Sequence, residues 1–133
     1  MSASPNRVLG AVVGAVFLAL GVSGFIFASA PFFSPDGALV WGVITTNGLQ
    51  NLTHIVLGAA LVLAAVSTLD ASRRVNGTIG ALCLVWGIAG LFLIETSSNI
   101  FALGVWSNLI HFAASCVLLA VGLGVERPAR PAI

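Results

Sequence analysis

Lysine and tyrosine are absent from this 133-residue chain, and charged residues of all kinds make up only 7% of it. Because a soluble domain ordinarily carries about a quarter charged residues, this composition excludes the class of soluble globular proteins. The five basic residues form no stripe and the net charge is +1, so we expect no nucleic-acid partner. Apolar residues make up 59% of the chain.

The sequence is equally poor in side chains that carry chemistry. Its two cysteines, Cys83 and Cys116, lie inside apolar runs, where small apolar filling is a better interpretation than a disulfide. No Ser-His-acid arrangement and no pair of carboxylates suited to acid–base catalysis stands out. The prediction is therefore a protein that is not an enzyme and that needs no cofactor and no metal.

Four long apolar runs predict the architecture. Each approaches or exceeds the roughly 17–25 residues that a helix needs to cross a bilayer, and a spanning segment must satisfy its backbone hydrogen bonds internally. We therefore predict an all-α membrane protein, a single integral-membrane domain over residues 1–133, with four transmembrane helices in an antiparallel bundle. The predicted helices cover about residues 8–30, 49–69, 78–94 and 107–125.

An alternative interpretation concerns the first run, which ends in Ala28-Ser29-Ala30 and so resembles a signal-peptidase site. A signal sequence has an apolar core of only about 7–15 residues. The run here is longer, so we expect the first helix to be retained.

The arginines predict the orientation. All five fall on one side of a four-span arrangement, and positive residues near helix ends stay in the cytoplasm. We therefore expect a multi-pass protein of the bacterial inner membrane with both termini cytoplasmic. Residues 70–77, "DASRRVNG", are predicted to form a tight cytoplasmic turn, and residues 38–46, "ALVWGVITT", a short helix along the outer membrane surface. The arginines are Arg7, Arg73, Arg74, Arg127 and Arg130.

The chain also resembles itself. A shift of 57 aligns the second predicted helix with the fourth, and a shift of 66 aligns the first with the third. These shifts favour a helix hairpin used twice, so that the bundle consists of two helix-hairpin repeats. The first shift pairs Asn51 with Asn108, Leu52 with Leu109 and His54 with His111; the second pairs Gly14 with Gly80, Gly21 with Gly87 and Gly24 with Gly90.

The positions that match between the repeats recur on one face of each helix at alternating intervals of three and four residues. This heptad spacing is typical of helices packed along a seam in a left-handed bundle, and small residues let membrane helices approach closely. The predicted packing residues are Gly14, Gly21, Gly58, Gly80, Gly87 and Ser115.

The only histidines, His54 and His111, occupy matching places in the segments "NLTH" and "NLIH". Ionisable side chains within a membrane span are functional candidates by default. If the second and fourth helices lie diagonally across the bundle, the two imidazoles reach the same depth and both point at the axis. Asn51 and Asn108, three residues earlier, are expected to cap their helices or to hydrogen-bond a neighbouring helix.

Three hypotheses fit these residues. In the favoured one, each Asn-His pair is a hydrogen-bonding clamp that fixes helix register. In the second, His54 and His111 ligate one b-type haem between their helices, with Gly58 and Ser115 making room for the porphyrin. In the third, the histidines and Glu95, an acid at the outer end of the third helix, form a metal- or proton-responsive site at the outer face.

The two Asn-x-x-His segments carry a family resemblance. The sequence resembles a family of small bacterial four-helix integral-membrane proteins of unknown function (DUF4383-like), which carries an "HNLVHLLLG"-like segment opening its second helix and an "LHLLLG"-like segment opening its fourth. Here Gln50 stands in place of a further histidine and Ser115 in place of a glycine. The first departure removes a potential metal ligand. The resemblance implies the four-span topology and no activity.

These observations lead to one functional prediction. We expect a non-enzymatic structural or accessory membrane component, surrounded by the lipid bilayer and associated with copies of itself or with a larger membrane complex. The alternatives are the bis-histidine haem protein and the outer-face metal- or proton-responsive site.

Overall fold

Four helices dominate the computed structural model, which describes residues 4–126. Each is long and apolar enough to cross a membrane, so the predicted four-helix membrane fold is confirmed. A two-stranded antiparallel sheet, β1 (Ala38–Val40) and β2 (Ile44–Thr46), lies in the first connection. The helices are α1 (Pro5–Phe27), α2 (Gly48–Val66), α3 (Leu69–Leu93) and α4 (Val105–Ala120), and α4 continues as a π-helical segment, Val121–Val125. The predicted tail arginines Arg127 and Arg130 lie outside the described residues.

The bundle has two ends, which we name by their residues. The arginine end carries Arg7 at the start of α1 and Arg73 and Arg74 near the start of α3. The histidine end carries His54 and His111, near the starts of α2 and α4. α1 packs along α2 and α3 packs along α4, so each helix hairpin is one half of the bundle.

The start of α3 differs from the prediction, because the stretch predicted as a tight turn at residues 70–77 is helical. α2 ends at Val66, and the Thr68 hydroxyl accepts a hydrogen bond from the Ala71 backbone N–H at 3.1 Å, which caps the new helix. Asp70 lies in the first turn, where the helix dipole favours an acid, and pairs with Arg74 at 2.8 Å. The predicted start at residue 78 was wrong because the polar residues 70–77 were interpreted as a turn, whereas they form the first turns of α3.

The second correction concerns residues 38–46, which form the hairpin of β1 and β2 and not a surface helix. Val40 pairs with Ile44, and the turn between them places Trp41 and Gly42 at φ values of 52° and 75°. Positive φ at consecutive turn residues is typical of hairpins, and the strands are rich in β-branched residues, which favour extended backbone. The segment is apolar, as the prediction assumed, but its β-branched residues favour strands over the predicted helix.

The last turn of the bundle widens into the π-helical segment at Val121–Val125. Gly122 lies so close to α3 that a Cβ there would stand 2.6 Å from the Gly77 backbone nitrogen. π-helical turns are rare and often accompany functional sites. The predicted helix over residues 107–125 is therefore continuous in sequence but changes its winding after Ala120.

Candidate functional site at the histidine end

The two histidines meet inside the bundle, as their shared depth predicts. Their Nε2 atoms lie 3.2 Å apart, and the side chains are 3% exposed each. One imidazole must donate and the other accept, because a neutral imidazole carries its proton on one nitrogen only. This contact links α2 of the first hairpin to α4 of the second.

Phe17 and a very small cavity enclose the pair. The Phe17 ring centroid lies 5.2 Å from that of His54 and 6.3 Å from that of His111, and the side chain is fully buried. On another side a cavity of about 10 Å³, lined by Cys83 and Trp86 among others, adjoins both imidazoles. That volume suffices for about one water molecule.

This geometry does not support the haem hypothesis. Metal–imidazole bonds are about 2 Å long, so an iron between two histidines separates their nitrogens by roughly 4 Å. The observed 3.2 Å between the two Nε2 atoms is instead the length of a direct hydrogen bond between the imidazoles. The cavity beside them has no room for a porphyrin.

The structure does not bring Glu95 into this site either. Glu95 is exposed, has a φ of 63°, and lines a separate surface cavity together with Asp36. Within residues 4–126, no three histidine, cysteine or acidic side chains come together as a metal centre would require.

The two asparagines occupy matching places with different partners. Asn51 is pressed against Gly24 of α1, and Asn108 against Gly90 of α3. The Thr46 hydroxyl donates a hydrogen bond to Asn51 Oδ1, whereas neither amide atom of Asn108 has a partner in the described part of the chain. Neither residue caps its helix, so capping, the first of the two alternative roles expected for them, was wrong.

The caps are formed by residues that the sequence analysis did not single out. Asn47 Oδ1 accepts from the Gln50 backbone N–H at 2.9 Å, while Asn47 Nδ2 donates to the carbonyl oxygens of Ser34 and Ile100. The Ser107 hydroxyl accepts from the Gly104 backbone N–H at 2.8 Å. Asn47 thus ties both connections at the histidine end to α2, and its place just before the apolar run was the signal for it.

The predicted packing residues lie in helix contacts that correspond between the two hairpins. A Cβ at Gly14 would stand 2.9 Å from Leu61 Cβ, and one at Gly80 3.1 Å from Leu118 Cβ, its counterpart. Ser115 is buried at 2% exposure. Gly21 contacts Ile55 in the first hairpin, and its counterpart Gly87 contacts Phe112, the counterpart of Ile55, in the second. Gly58 contacts the Gly14 backbone. The two hairpins therefore use the same kind of helix contact at corresponding positions, and the duplication itself stays a prediction from the sequence.

A second polar cluster, at the arginine end, was missed. Asn76 Nδ2 donates to the Asn6 carbonyl oxygen at 2.9 Å, and both side chains are fully buried. The Ser4 hydroxyl donates to Glu126 at 2.6 Å and, with weaker bonds from Asn6, holds the pKa of that carboxyl below its ordinary value. Asn76 lies four residues before Gly80, one of the predicted packing residues, and that spacing was a usable signal.

The fold and the buried polar contacts define a class, a multi-pass four-helix membrane protein with a closed core. Within that class the chain belongs to the family described as Domain of unknown function (DUF4383), which matches residues 7–124. The resemblance seen in the two Asn-x-x-His segments is therefore confirmed. No curated protein and no solved structure matches the chain significantly.

Proposed function

We propose that this protein is a non-enzymatic structural or accessory component of the bacterial inner membrane. The observation that carries the proposal is the 3.2 Å contact between the Nε2 atoms of His54 and His111. Each imidazole uses the atom that would bind a ligand to hold the other helix. A neutral hydrogen bond between buried groups stabilises a fold by about 0.5–1.5 kcal/mol, and losing one partner costs about 1–3 kcal/mol.

Substitution by glutamine separates this structural role from imidazole chemistry. A glutamine side chain can hydrogen-bond across the bundle but cannot titrate near neutral pH or act as an imidazole ligand. In the native host, we expect the variant carrying both His54→Gln and His111→Gln to keep its membrane abundance and the size of its native assembly. If the variant reaches normal abundance but fails to complement a strain in which the gene is deleted, the proposal is contradicted.

A proton-responsive role is the second candidate, favoured by the same contact. If both imidazoles carried two protons, their Nε2–H groups would face each other and the bond would be lost. The groups around the adjoining cavity include no acid and no base that could compensate: they are Gln50, Thr53, Leu57, Leu82, Cys83 and Trp86. Intrinsic tryptophan fluorescence measured against pH, in wild type and the double glutamine variant, tests this candidate. A transition of equal size in both proteins would exclude it.

We further infer that both termini are cytoplasmic and that the partners are the lipid bilayer and other copies of this chain or a larger membrane complex. The inference on orientation is supported by Arg7, Arg73 and Arg74, which lie at one end of the bundle, because positive residues stay inside. A carboxy-terminal fusion to green fluorescent protein should fluoresce, while the matching alkaline phosphatase fusion should be inactive. The reverse result would invert the topology.

A further inference from the structure

One cavity among the described residues lies at the arginine end and belongs to neither the histidine pair nor the buried asparagines. It measures about 770 Å³ and opens between α3 and the π-helical segment. We call it the α3 groove. Its lining includes Arg73, Arg74, Thr78, Ala81, Leu82 and Val85.

The α3 groove changes character along its length. Asp70 and the two arginines form one end, and Ala81, Leu82 and Val85 form the other. At about 1.5 Å per helical residue, the distance from Asp70 to Val85 is roughly 22 Å. Because one leaflet contributes about half of a 30 Å hydrocarbon core, the groove runs from the headgroup level well into the acyl-chain level.

The charges at the polar end leave one arginine available. Arg74 pairs with Asp70 at 2.8 Å in an exposed ion pair. Arg73 is not part of that pair, and its Nε atom is buried without a hydrogen-bond partner within residues 4–126. Glu126, which lies close enough to interact with Arg73 electrostatically, is hydrogen-bonded by Ser4 and Asn6 of the α1 side.

In the first hairpin, the corresponding arginine has a hydrogen-bond partner within its own hairpin. Arg7 corresponds to Arg73 under the shift of 66, and its Nε donates to the Ala65 carbonyl oxygen at 2.6 Å. The counterpart of Ala65 is Gly122, which lies in the π-helical segment and packs against the Gly77 backbone. The second hairpin therefore has a groove, and an arginine facing it, where the first has an internal hydrogen bond.

We propose that the α3 groove binds one anionic phospholipid of the surrounding bilayer, with its phosphate at Arg73 and an acyl chain along Ala81 and Val85. A guanidinium matches a phosphate with two parallel hydrogen bonds, and basic pockets between membrane helices are typical sites for acidic headgroups. The apolar length of the groove distinguishes a lipid from a free anion, because inorganic phosphate would occupy only its polar end.

Retention of lipid by the purified full chain tests the proposal. The protein is reconstituted in vesicles of phosphatidylcholine with or without phosphatidylglycerol, extracted in mild detergent, and examined by native mass spectrometry. We expect one phosphatidylglycerol to be retained in preference to phosphatidylcholine. Arg73→Gln should weaken its retention about tenfold, the loss expected for a charge-assisted hydrogen bond.

A second pair of variants keeps the test valid if Arg73→Gln fails to fold. Ala81→Phe should fill the apolar part of the groove and abolish retention. Ala15→Phe is its matched control, since Ala15 is the exposed counterpart of Ala81 on α1, and retention should be unchanged. Equal retention of both lipids, no difference between the two phenylalanine variants, or equal thermal stabilisation by inorganic phosphate and by phosphatidylglycerol would each overturn the proposal.

Discussion

The two hairpins share a packing scheme but differ in how they satisfy their polar groups. Corresponding glycines meet corresponding residues of the partner helix in both halves. In the first hairpin, Thr46 donates to Asn51 and Arg7 donates to Ala65. In the second, the Asn108 amide and the Arg73 Nε atom have no partner among the described residues.

This difference separates what builds the bundle from what remains available for other roles. Close approach of backbones depends on small residues at repeated positions, so both halves retain it. Polar partners lie in the connections and helix ends, which differ between the halves. Among the described residues, the buried polar side-chain atoms that have no hydrogen-bond partner all belong to the second hairpin, although buried polar groups are ordinarily paired.

The largest effects should come from the shared packing. Gly14→Leu should destabilise the protein by about 1–3 kcal/mol or more, the usual result of overpacking, because its Cβ would stand 2.8 Å from the Gly58 carbonyl oxygen. Gly80→Leu should be equally harmful if the halves are equivalent. Unfolding in detergent, followed by circular dichroism, measures both. Gly124→Leu is the control, since no atom from another part of the described chain lies within 4 Å of its Cβ position, and a comparable loss there would refute the packing argument.

The next effect should distinguish the hairpins. Asn51→Ala should lower the free energy of unfolding by about 1 kcal/mol more than Asn108→Ala does. Both variants remove the same side-chain atoms, but only the first loses a hydrogen bond, and the second removes two buried unsatisfied atoms. Equal losses, measured by the same unfolding assay, would mean that the asymmetry of the two asparagines has no energetic consequence.

A smaller effect is expected for the two arginines in neutral detergent. Arg7→Gln should cost about 1 kcal/mol or less, because the bond to Ala65 is lost but the side chain is largely exposed. Arg73→Gln should leave thermal stability unchanged when no acidic lipid is present. A larger loss for Arg73→Gln than for Arg7→Gln would reverse the comparison.

The smallest effect concerns Glu126, which links the end of the chain to α1. Its pKa is held below the ordinary value by the Ser4 hydroxyl, so its stabilising contribution is complete above that ordinary value. The contribution is lost as the pH falls through the lowered pKa. Melting curves recorded over this acidic range should show a slightly steeper loss for wild type than for Glu126→Gln. Parallel curves would show that the Ser4–Glu126 bond adds no stability.

The fold was predictable because the bilayer imposes it. Four apolar runs of sufficient length leave helices as the only solution, and the matching positions of His54 and His111 predicted that the two would meet. The start of α3 was missed because Thr68 and Asp70 are polar and yet favour a helix start. The hairpin of β1 and β2 was missed because its apolar residues were judged by hydropathy and not by their β-branching.

The details of the site depended on tertiary contacts that no pattern in one sequence reveals. The asparagines were expected either to cap helices or to hydrogen-bond a neighbouring helix, and the sequence did not show that Gly24 and Gly90 approach so closely that the two side chains pack against α1 and α3. The haem hypothesis depended on the spacing between the imidazoles, which is set by how closely α2 and α4 approach. Residue identity alone did not contain that distance.

The central claim is that the His54–His111 contact joins the two hairpins energetically. A double-mutant cycle with His54→Ala and His111→Ala, followed by unfolding in detergent, measures the coupling directly. We predict a coupling energy of about 0.5–3 kcal/mol between the two imidazoles. The control is the pair Leu52 and Leu109, which correspond to each other as the histidines do but are exposed. Replaced by alanine in the same way, they should show almost no coupling energy. A histidine coupling no larger than that of the leucine pair would contradict the account.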